Sequence, residues 1–100
     1  MNQTARDYLR EVHRSTDDFT TRWVIDGIFW ADESCRISGT LSLALRDADA
    51  TAGKKLLQHL RESGVTTQAQ VPRFLNQYFH TCLKILRPHE EYRDHPKTWA

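Results

Sequence analysis

What this chain lacks narrows its identity first. It has only two cysteines, Cys35 and Cys82, far apart and without C-x-x-C spacing, so a disulfide framework is not expected. No apolar run approaches the length of a membrane span. The first residues, Met1-Asn2-Gln3-Thr4-Ala5-Arg6-Asp7, carry no apolar stretch of the kind a secretory signal needs. The expectation is therefore a reduced, cytoplasmic protein. Charge of one sign is also lacking. The formal net charge is +1, too balanced for a protein whose affinity rests on neutralising phosphates. There is no G-x-S-x-G, no P-loop and no dinucleotide fingerprint, and no cofactor is expected.

What is present suits one modest domain. A chain of 100 residues buries roughly two-thirds of its unfolded surface, so an oligomeric partner would help it. Charge is unevenly spread: four Arg against seven Asp/Glu over residues 1–35, then ten Lys/Arg against six Asp/Glu over 36–100. That asymmetry suits self-association, although solvated helix faces also produce it.

The spacing of Ala5, Tyr8, Leu9 and Val12 predicts a helix over residues 3–14. Residues 20–30 have the aromatic and β-branched composition that strands favour. Residues 36–45 place their large apolar groups at odd positions only, the period of a half-buried strand. Joined across residues 31–35, the two make an antiparallel hairpin in which Phe29 faces Ile37, Ile25 faces Leu41 and Gly27 faces Gly39. The competing reading makes residues 16–33 a helix capped from the run Ser15-Thr16-Asp17-Asp18, with Phe19, Trp23, Trp30 and also Gly27 on one face. It would leave apolar groups all round the axis. Further on, Ala52, Leu56, Leu57 and Leu60 give a helical stripe ended by Gly64. Val71, Phe74, Leu75, Tyr78, Cys82, Ile85 and Leu86 predict one long last helix, capped by Thr66 or Thr67, with Pro72 near its first turn and Pro88 closing it. The expected fold is α+β: an N-terminal helix, a hairpin and two C-terminal helices over residues 1–88, then an extended arm over 89–100. An all-α four-helix bundle is the alternative.

Three chemistries are weighed against plainer readings. A helix-turn-helix over residues 56–75 would need a small residue where Leu60 stands, and Pro72 would interrupt its recognition helix, so an ordinary αα-hairpin is preferred. The arm holds His89, Glu90, Glu91, Asp94 and His95, but without the paired short spacings of a zinc site, and no metal is expected. Cys82 lies on an apolar stripe, where thiols stay protonated. Cys35 beside Arg36 has no histidine brought to it. No enzymatic activity is expected.

There remains the even-numbered face of the hairpin. Val24, Ile28 and Trp30, rimmed by Arg22 and Arg36, have the composition of a protein interface, where Trp and Arg anchors are enriched. Trp99, alone at the end of the polar arm, joins them as a partner-binding candidate. The expected function is a small non-enzymatic regulatory or inhibitory protein that acts by protein–protein interaction as a homodimer with a further protein as its target. The alternative is a nucleic-acid-binding transcriptional regulator using Lys54, Lys55, Arg61 and Arg73, with Arg87 nearby.

Overall fold

A computed structural model describes residues 3–89, and among them six helices and no strand are found. They are α1 (Ala5–Ser15), α2 (Phe19–Glu33), α3 (Gly39–Asp47), α4 (Ala50–Glu62), α5 (Gln70–Gln77) and α6 (Phe79–Leu86). The expected α+β fold is thus corrected: the chain is all-α, and both hairpin strands are helices. The four-helix alternative was nearer in class but short of two elements. One hydrophobic core draws on every helix, with Leu9, Ile25, Ile28, Leu41, Leu56, Leu60, Val71 and Cys82 among its fully enclosed side chains.

Local chemistry explains the starts of the first four helices. Thr4 and Asp7 form a reciprocal capping box at α1, satisfying two backbone donors at once. Asp18 caps α2 by accepting from the Thr20 N–H, Ser38 caps α3 through Leu41 N–H, and Asp49 caps α4 through Ala52 N–H. The two apparent strands therefore each begin with a capping side chain.

The ends of α2 and α4 share one device. After α4, Val65 N–H donates to Leu60 O and Gly64 N–H to Arg61 O, with Gly64 at φ 89°. After α2, Arg36 N–H donates to Ala31 O, while Cys35 takes the left-handed position at φ 59°. Both are Schellman-type closures, but only one uses the glycine that normally marks them. The single long C-terminal helix is also corrected. Tyr78, at φ −110° and ψ 39°, divides it into α5 and α6.

Two glycines set how closely helices approach. A Cβ on Gly53 would stand 2.8 Å from Ala5 Cα, so α1 lies directly on α4. That contact is extended by Ala5 N–H donating to Ala48 O at 2.7 Å and Ala50 N–H to Gln3 O at 3.0 Å. A Cβ on Gly27 would stand 2.6 Å from Val71 Cγ2 and 2.7 Å from Gln68 O, where α2 meets the start of α5. Gly39 faces open space, so the expected Gly27–Gly39 notch does not exist.

Candidate protein-interaction surface

α2 buries one side and displays the other. Val24, Ile25, Gly27, Ile28, Ala31 and Asp32 are buried towards the other helices. Positions 19, 23, 26 and 30 fall on the opposite side at helical spacing. Phe19 is 63 %, Trp23 49 % and Trp30 38 % exposed, unusually open for the most apolar aromatic side chains. Phe19 and Trp23 stack with ring centroids 6.3 Å apart. The row from Phe19 to Trp30 spans roughly 16 Å at the α-helical rise.

Guanidinium groups flank both ends of this row. Arg22 lies 5.9 Å from the Phe19 ring, and its buried Nε has no hydrogen-bond partner among the described residues. Arg36 sits 5.1 Å from the Trp30 ring centroid, a cation–π distance that keeps it on the same side as that ring. Asn76 Nδ2 donates to Arg36 O at 2.9 Å, fixing the loop after α2 against α5. At the middle of the face, Asp26 Oδ1 meets His13 Nε2 of α1 at 2.7 Å.

The sequence-derived interface residues are therefore divided. Arg22, Trp30 and Arg36 flank or form the exposed face, whereas Val24 and Ile28 are fully enclosed in the core. The reason is the change of period. On a strand 24, 28 and 30 share a side, but on a helix 24 and 28 turn inward and 30 turns out. Phe19 and Trp23 complete the exposed row instead, and they were legible only in the helical alternative. Trp99 lies outside the described residues, as does the arm beyond His89.

The face is held rigid from behind. Asp32, its side chain only 1 % exposed, accepts from Arg6 of α1 and from Ser42 Oγ of α3, so one carboxylate ties three helices together. Arg6 and Arg10 lie 5.4 and 5.3 Å from the Phe29 ring, closing α1 over the flank of α2. At the N-terminal end, Asp18 accepts from Thr21 Oγ1 at 2.6 Å and pairs with Arg61 of α4 at 2.9 Å. The Thr21 hydroxyl above all, with the Thr20 N–H and the Arg61 charge, holds the Asp18 carboxyl below its ordinary value against an opposing desolvation that outweighs either of the latter two.

The basic candidates do not gather on one surface. Lys54 and Arg61 border a crevice of about 440 Å³ beside Tyr8 and Thr20, and Arg61 is engaged by Asp18. Lys55 borders a different crevice with Lys84, while Arg73 lines a groove with Phe74 and Tyr78. Arg87 pairs with Asp47 at 3.7 Å. The two thiols also part company: Cys35 is exposed and free, and burial pushes the Cys82 thiol up to about 11. No helix among the described residues is long and apolar enough to cross a membrane.

Compared with known protein families, with characterised proteins and with solved structures, the chain matches none.

Proposed function

We propose that the chain is a small, non-enzymatic regulatory or inhibitory protein of the cytoplasm that works by protein–protein contact, joined as a homodimer through the outer face of α2. The observation that carries this reading is the row Phe19, Trp23 and Trp30, exposed on one helix and flanked by Arg22 and Arg36. Several large aromatics exposed on one face cost solvation free energy, and such faces mark sites that a partner covers. Free thiols at Cys35 and Cys82 suit a reducing compartment.

A second copy would complement this face by charge. A two-fold axis perpendicular to α2 would set the two α2 helices antiparallel, with Trp23 of one copy level with Trp30 of the other. The same register brings Asp17, at the exposed start of one α2, to the end where Arg36 of the other copy lies. Neither Asp17 nor Arg36 has an ion-pair partner among the described residues of its own chain. Opposed helix dipoles favour the same orientation.

Sedimentation equilibrium tests the reading. The wild-type chain is expected to dimerise with a dissociation constant on the order of micromolar. Trp23→Glu and Trp30→Arg are expected to sediment as monomers with unchanged helical circular dichroism. A wild-type chain that stays monomeric well above that concentration overturns the homodimer. The nucleic-acid reading has less support, because its basic residues are spread over three crevices and Arg61 is already paired with Asp18. Binding to duplex DNA that weakened steeply with salt would revive it.

A further inference from the structure

A second groove lies away from α2 and shares no residue with its outer face. It is a groove of about 670 Å³ bounded by the end of α4, the turn after it, α5 and the start of α6. Its size falls within the range of small-molecule sites. Three features of the groove point to the same kind of occupant.

One wall is aromatic. Phe74 and Tyr78 lie 4.7 Å apart between ring centroids, with His59 edge-on to Phe74 at 5.4 Å. Tyr78 is 45 % exposed, although it is the residue at which α5 breaks into α6, so its ring presents an unoccupied surface to the groove. The charged side chain of the lining is Arg73, which has no carboxylate partner among the described residues. No Asp or Glu is among the described lining residues, and the remaining polar groups are amides and hydroxyls such as Gln77 and Thr81. Behind this wall, His59 Nε2 is sealed from solvent and has no hydrogen-bond partner among the described residues, so His59 offers the groove its ring rather than that nitrogen. The α6 helix also begins here without a side-chain cap, directly after the end of α5.

We propose that this groove binds a small planar aromatic anion, the ring lying against Phe74 and Tyr78 and the carboxylate or phosphate meeting Arg73. Neither half of that description suffices alone. A cation would meet Arg73 with no counter-charge, and a bare anion would leave the aromatic wall uncovered. An aromatic carboxylate and a mononucleotide share the required chemistry, and the experiment distinguishes them.

The test is a ¹H–¹⁵N chemical-shift titration of the full chain with four probes: indole-3-carboxylate, adenosine monophosphate, inorganic phosphate and tryptamine. The proposal expects saturable shifts centred on His59, Arg73, Phe74, Tyr78 and Thr81 with at least one of the first two, and which one identifies the source. Phosphate and tryptamine are expected to bind at least tenfold more weakly. Arg73→Gln, at an exposed position, is expected to weaken the preferred probe at least tenfold, and Tyr78→Ala to do so for either ring. Lys55→Gln, outside the groove, is expected to change nothing. Equal binding of phosphate or of tryptamine overturns the proposal, as does the absence of saturable shifts at these residues with both aromatic anions. Because the ligand comparisons use the wild-type chain, they decide the matter even if a variant fails to fold.

Discussion

Single residues in this chain carry consequences out of proportion to their size, and glycine shows it most clearly. Gly27 and Gly39 look equivalent in a hairpin register, but only Gly27 is confined. Gly27→Ala forces a methyl group into Val71 and the Gln68 carbonyl, an overpacking that costs about 1–3 kcal/mol. Gly39→Ala, at the first position of α3 with open space around it, is expected to be neutral or slightly stabilising. Thermal melts of the two variants check this: Gly27→Ala lowers Tm by several degrees or more, while Gly39→Ala holds it or raises it. Equal melting temperatures would mean that α2 does not approach α5 as described. The two cysteines make a second contrast. With its pKa pushed up to about 11 by burial, Cys82 is expected to resist iodoacetamide at pH 8, whereas exposed Cys35 is alkylated. Mass spectrometry of the native chain should then find one adduct, at Cys35, and two only after unfolding.

At the scale of elements, the chain shows why some helices are legible in a sequence and others are not. α1 and α4 were readable because their apolar spacing, caps and, for α4, the closing Gly64 all agree. α3 was not, because Ile37, Leu41 and Leu45 recur every four residues, a spacing compatible with both a strand and a helix. The discriminating residue is Leu43: a strand would bury it with the others, but it is 53 % exposed. α2 was hidden by two features. Its closing left-handed residue is Cys35 rather than glycine, and apolar side chains surround its axis. That second feature argued against a helix on the premise that a small domain must bury them all. The fold leaves Phe19, Trp23 and Trp30 outside, so residues that obscured α2 are also those that mark the candidate surface. The break at Tyr78 had no glycine or proline to announce it. The start of α2 carries a pH dependence. Asp18 has its pKa lowered by Thr21, Thr20 and Arg61, so it stabilises the fold at pH values above its unfolded value near 3.8. That contribution disappears as pH falls through the lower folded value. Asp18→Asn is therefore expected to lower Tm at pH 7 and to flatten the dependence of Tm on pH below about 4, measured by circular dichroism. An unchanged acid limb would mean that the carboxylate does not cap α2.

At the scale of the whole molecule, the proposed dimer joins two copies antiparallel along α2. Such an interface would carry a cost of its own, because it would set Asp26 of each copy near the two-fold axis, where the hydrogen-bonding contact to His13 is the carboxylate's own-chain partner among the described residues. Asp26→Asn is accordingly expected to tighten the dimer by roughly 1 kcal/mol, about fivefold in dissociation constant. The most direct measurement is a charge-reversal cycle at the ends of the interface, with dissociation constants from sedimentation equilibrium at low salt. Arg36→Glu and Asp17→Lys are each expected to weaken association severalfold by setting like charges against one another, and the double variant is expected to recover most of the loss. If the single variants dimerise like the parent, or if the double variant is weakened by the two effects added together, Asp17 and Arg36 do not meet across the axis and the antiparallel α2 interface is contradicted.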